Sequence, residues 1–78
     1  MQPNITTLAH LKRGQQAVIV SFTDAEMSLK LLEMGCIPGE KIRVERIAPF
    51  GDPISISVAG YHLSLRKEEA ATVKVTLI

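Results

Sequence analysis

Cysteine is almost missing from this 78-residue chain: Cys36 is the only one. A single thiol excludes an internal disulfide framework and a cysteine-rich zinc site. Small secreted domains usually need such staples, so a reducing, intracellular setting is expected. Aromatics are as sparse: Phe22, Phe50 and Tyr61, with no Trp. A polyproline-binding groove needs several of them side by side, so that mode of recognition is not expected. An excess of charge of one sign is lacking too. Nine Lys+Arg against eight Asp+Glu leave a formal charge of +1. That speaks against nucleic acid held by phosphate contacts, and against attachment to an anionic membrane by charge alone. No stretch approaches the ~18 consecutive apolar residues of a membrane helix. The first ten residues lack the basic start and apolar run of a signal peptide. What is present is 46% hydrophobic and 22% charged residues, the balance of one small globular domain over residues 1–78. The expected address is cytoplasmic, with a membrane reached only through a partner.

Residues 5–14 read as a lead-in, with Thr7 capping one helical turn that carries Leu8 and Leu11, and Gly14 ending it. Gln16–Phe22 is rich in β-branched residues and reads as a strand, with apolar side chains on both faces. Thr23-Asp24-Ala25-Glu26 then fits a capping box. The helix it opens runs to about Met34, where Gly35 supplies a left-handed stop and Pro38 prevents continuation. Glu26 and Lys30 are placed as an i,i+4 ion pair. Lys41–Ile47 is a second strand, turning Ile42 and Val44 inward; Ile47 breaks the phase and signals a bulge. Residues 48–53, APFGDP, form a stiff loop. Ile54, Ile56 and Val58 alternate with Ser55 and Ser57, the clearest strand of the chain. Ala59-Gly60 makes a hairpin turn into a strand carrying Tyr61, Leu63 and Leu65. A helical turn over residues 66–71 precedes a last strand with Val73, Val75 and Leu77. The expected fold is mainly β: a five-stranded SH3-like barrel, one α-helix between the first two strands, and a helical turn before the last. Closure would remove the exposed edges of so small a sheet.

Groups for catalysis are scarce. The histidines are His10 and His62. His62 shares a strand face with Ser64, but no acid is placed to orient it and no nucleophile elbow precedes the serine. The expectation is no enzyme, no catalytic residue and no cofactor. Cys36, His10 and His62 show no metal-ligand spacing, and Cys36 reads as a small buried residue after a helix stop, so no metal ligands are assigned. Gly35 and Gly39 follow a helix and have no Lys-Ser/Thr partner, so they form no nucleotide loop.

Apolar surface is in surplus instead. Met27, Leu31 and Met34 form one stripe of the helix, while Ala25, Leu29 and Leu32 form another almost opposite. The combined arc spans about 220°, against the ~100° that one core face needs. Phe50 stands in a loop where no packing duty is evident. Leftover apolar area on a soluble domain points to a protein partner. The candidate contact residues are Met27, Leu31 and Met34, with Phe50 as an anchor and Asp52 beside it. On this basis Leu31→Asp should weaken association; if it does not, the opposite stripe becomes the candidate.

The segment LLEMGCIPGEKIRVERIAPFGDPISISVAGYHLSLRKEEAATVKV resembles the FeoA family. The carrying pieces, in order, are a helix ending Leu-x-x-x-Gly, Pro38-Gly39, APFGDP, a hairpin, Leu65-Arg66 and Glu69-Ala70. The resemblance implies an SH3-like barrel and a cytoplasmic accessory role in bacterial ferrous iron uptake. It also implies a partner, the transporter FeoB, whose transport or GTPase cycle it would tune. Self-association through the same apolar surplus is a further expectation, and nucleic acid is not expected as a partner. The alternative is a metal-binding or metal-sensing domain, since iron-dependent repressors carry a related SH3-like domain. No winged-helix DNA reader precedes the domain in these 78 residues, so the accessory role is preferred.

Overall fold

The computed structural model describes residues 5–78. The strands are β1 (Ile5–Thr7), β2 (Gln16–Phe22), β3 (Lys41–Ile47), β4 (Ile54–Val58), β5 (Tyr61–Leu65) and β6 (Val73–Leu77), with helix α1 (Ala25–Glu33) between β2 and β3 and α2 (Lys67–Ala70) between β5 and β6. A short 3-10 turn, Leu8–His10, follows β1. The strands form one antiparallel sheet in the order β1-β6-β2-β3-β4-β5. The expected five-stranded barrel is therefore corrected to an unclosed six-stranded sheet. The extra strand is the lead-in: Ile5, Thr6 and Thr7 pair with Thr76, Val75 and Lys74. Three residues are too few to display an alternation, so nothing local marks them as a strand. Thr7 does not cap the turn after it; its hydroxyl bonds His10 Nδ1 at 2.9 Å.

Two bulges shape the sheet. The β2–β6 register shifts between Ile19 and Ser21. Ala17 and Ile19 are buried, and beyond the shift it is Phe22, paired with Val73, that packs against the core. The β3–β4 register shifts between Val44 and Arg46. Ile47 thereby returns to the inner side opposite Ile54, as its break of phase indicated. Each extra residue increases local twist and bends its strand. Strands β2 to β6 all send side chains into one cluster, which the sheet curves around. Leu8 and Leu11 close the cluster from the lead-in, Leu31 and Cys36 from α1 and its end, and Ala70 from α2. Tyr61, in alternation with Leu63 and Leu65 along its strand, is 67% exposed. It sits at the first position of β5, the edge strand, where no neighbour covers it.

Candidate docking surface

Helix α1 is fixed at both ends by its sequence. Its cap is Asp24, one residue later than Thr23 in the expected box; Asp24 Oδ1 accepts the Met27 N–H at 3.0 Å. Thr23 instead ties back to the chain before β6, its N–H donating to the Thr72 carbonyl at 2.8 Å. At the other end Gly35 takes φ +98°. The Cys36 N–H reaches the Leu31 carbonyl at 2.9 Å, and the Gly35 N–H reaches Leu32 at 3.1 Å. This is a Schellman stop, which brings Leu31 and Cys36 together as its apolar pair. Both are buried in the core. Burial also pushes the Cys36 thiol up from its ordinary pKa, which disfavours the thiolate that a metal would require.

That stop decides which stripe of α1 faces inward. Leu31 has no exposed surface, and Met27 and Met34 are half-buried against the core. A partner reaches none of Leu31 without opening the core. Leu29 and Leu32, on the other stripe, are 66% and 39% exposed. Leu31→Asp consequently reports on folding and not on a contact.

Phe50 is 97% exposed, the most exposed large apolar side chain among the described residues. It is presented by a built turn. The Gly51 N–H closes onto the Ala48 carbonyl at 2.7 Å, and the Ala48 N–H donates to Pro53 at 3.1 Å. Pro49 presets the φ that the second turn position requires. Asp52 then pins the loop to α2: its Oδ1 accepts the Lys67 N–H at 3.0 Å, and Arg66 Nη1 lies 3.8 Å from Oδ2. Asp52 thus performs for α2 what a cap residue usually does locally. Of the five candidate contact residues, Phe50 and Asp52 share one loop. Leu31 belongs to the core, and Met27 and Met34 lie along its margin.

Beside this loop lies an open groove lined by Ala9, His10, Asp52, Arg66, Lys67, Glu68 and Ala71. Behind it, Glu69 is a polar side chain buried at 6% exposure. Its Oε1 accepts the Arg66 N–H at 2.8 Å, and Lys30 of α1 donates to its Oε2. The Lys30 hydrogen bond first, and the Arg66 N–H second, hold the Glu69 carboxyl below its ordinary pKa. Lys30 was expected to pair with Glu26. A solvated i,i+4 pair contributes only a few tenths of a kcal/mol, whereas a desolvated carboxylate needs a cation. Glu69 therefore links α2 to α1. Local spacing had placed neither this link nor the Asp52–Lys67 bond.

The remaining polar candidates stand apart. His62 is exposed on β5 opposite Ser57, whose hydroxyl donates to Glu45 Oε2 at 2.8 Å and not to an imidazole. Cys36, His10 and His62 are not brought together, and no three-residue grouping of His, Cys, Asp or Glu suited to a metal occurs among the described residues. Within the same residues no helix is long and apolar enough to cross a membrane.

Comparison with known proteins adds the following. The model of the FeoA domain matches residues 6–77. A Porphyromonas gingivalis (strain ATCC BAA-308 / W83) Fe(2+) transport protein A/Fe(2+) transporter FeoB fusion protein is 42% identical over 72 residues, which is 91% of this chain and 8% of that protein. The chain therefore spans a small fraction of that relative's length. The crystal structure of Stenotrophomonas maltophilia FeoA complexed with zinc, described as a procaryotic SH3 domain protein, superposes with a TM-score of 0.79. It is 31% identical, over 90% of this chain and 88% of that one. A manganese-dependent transcriptional repressor in complex with manganese gives a TM-score of 0.89 at 18% identity, over 100% of this chain and 39% of that one. At that identity the likeness is one of fold alone.

Proposed function

The chain belongs to the FeoA family, and from that premise we propose that it is a non-enzymatic accessory domain of ferrous iron uptake, docking on the cytoplasmic part of a FeoB-type transporter. The observation that carries this reading is Phe50: a fully presented aromatic on a turn held by hydrogen bonds at its base and pinned to α2 by Asp52. An aromatic fixed in advance loses little freedom on binding and suits an interface anchor. Leu29 and Leu32 of α1 supply further uncovered apolar area. The fusion of a FeoA-like segment to a FeoB transporter in the P. gingivalis relative supports the choice of partner. So does the description of the S. maltophilia protein as a candidate ferrous iron transport activating factor.

The test is co-purification of the chain with the FeoB-type transporter of its own genome, with and without guanine nucleotide, followed by the rate of GTP hydrolysis. Stable association, and a rate that changes when the chain is added, are expected. Absence of association in both nucleotide states contradicts the proposal.

A metal-responsive role is the second reading, favoured by the zinc in the S. maltophilia structure. Anaerobic calorimetric titration with ferrous iron separates the two. A dedicated site should bind well below about millimolar concentration; heat only above that range leaves the accessory role standing alone.

A further inference from the structure

The free edge of β5 has a self-complementary pattern. β4 and β5 are joined by the two-residue turn Ala59-Gly60, both residues at positive φ, so Val58 and Tyr61 form the first hydrogen-bonded pair. Pairing alternates from there. Tyr61, Leu63 and Leu65 direct their backbone groups at β4; His62 and Ser64 direct theirs away from it. Among the described residues β5 has β4 as its only sheet neighbour, and no turn or loop bonds to the outward groups.

Edge strands are normally protected by a lysine, a proline, a bulge or shortness. β5 has none of these: its five residues, YHLSL, hold no Lys, Arg, Asp, Glu or Pro, and its register with β4 runs without a shift. β1, at the other edge, is only three residues long. β5 also has the apolar surface that a new neighbour would cover, with Leu63 half-buried and Tyr61 67% exposed.

We propose that β5 pairs antiparallel with β5 of a second copy of this chain, about a two-fold axis at Leu63. In that register His62 of each copy faces Ser64 of the other, and the two pairs exchange four backbone hydrogen bonds. Leu63 meets Leu63 on the inner side at the close spacing of a non-hydrogen-bonded pair. Tyr61 lies across from Leu65 and loses its solvent exposure. No like charges confront one another at neutral pH, which is what selects a second copy over a strand that must bring a complementary charge. The observations are independent of those behind the transporter contact. Two five-residue strands bury less than the ~1,000 Å² of a stable interface, so the dimer is weak and forms only at high protein concentration.

Sedimentation equilibrium, with amide exchange by NMR at low and high concentration, tests this on the full chain. Concentration-dependent dimerisation is expected. The amides of His62 and Ser64 should gain protection with it, while that of Leu63 is protected throughout. Ser64→Pro, which removes an outward N–H, and His62→Lys, which keeps the backbone and charges the edge, should each weaken the dimer at least tenfold without lowering Tm. A chain that stays monomeric up to the millimolar concentrations of the NMR samples overturns the proposal. So does a dimer untouched by His62→Lys, or protection of the two amides only when the transporter is added.

Discussion

Phe50 and Leu31 show how differently two apolar side chains of similar hydrophobicity are used. Leu31 is enclosed by the core and Phe50 stands in solvent. Leu31→Ala should cost about 2–5 kcal/mol, the usual range for a fully buried leucine, measured by urea unfolding. Phe50→Ala should change stability by less than about 0.5 kcal/mol. A loss above that would mean that the ring packs on its own domain. Glu69 is the other decisive residue. Its carboxyl is held below its ordinary pKa by Lys30 and then by the Arg66 N–H, so the folded state binds its proton less readily than the unfolded chain. The stability it contributes is complete above the unfolded value of about 4.3 and is lost as pH falls through the folded value. Glu69→Gln should flatten that acid limb, seen as a smaller change of unfolding midpoint between about pH 5 and pH 3. An unchanged acid limb would assign the pH dependence to other carboxylates.

At the scale of elements, turns are where the chain commits itself. The β4–β5 hairpin places Ala59 at φ 49° and Gly60 at φ 83°. A left-handed conformation costs a residue with a Cβ about 1–2 kcal/mol. Ala59→Gly should therefore raise Tm, and Gly60→Ala should lower stability by about 1–2 kcal/mol; equal melting of both variants would contradict the turn geometry. Much of this level was legible beforehand. The strict alternation of Ile54, Ile56 and Val58 marked β4, Gly35 marked the end of α1, and Ile47 marked the bulge of β3. Three things were not legible. β1 is shorter than any period that could reveal it. The two stripes of α1 are similarly apolar, and the choice between them came from the Schellman contact of Leu31 with Cys36. The ties Lys30–Glu69 and Asp52–Lys67 join residues 39 and 15 positions apart, a distance over which no local spacing carries information. Within the candidate site, the sequence singled out Phe50 by its unexplained place in APFGDP, but the role of Asp52 as the clasp of that loop needed the folded chain.

At the scale of the molecule, the sheet is open and the interior is supplied by one inner face of it together with Leu31, Cys36, Ala70 and the lead-in leucines. Enough apolar surface is left outside, at Phe50, Leu29, Leu32 and Tyr61, to serve contacts that the chain does not make with itself. These residues divide between two places: the helix and loop proposed for the transporter, and the β5 edge proposed for a second copy. The Lys30–Glu69 pair and the Asp52 clasp join α1, α2 and the Phe50 loop, so that the proposed transporter contact rests on elements tied to one another. The affinity of purified Phe50→Ala for the FeoB-type transporter, compared with the unaltered chain at equal Tm, is the most direct measurement. Loss of a central aromatic anchor of at least about 2 kcal/mol corresponds to binding weaker by about thirtyfold, which is the result expected. Binding of the variant within about twofold of the unaltered chain, below about 0.5 kcal/mol, would contradict an anchor at Phe50.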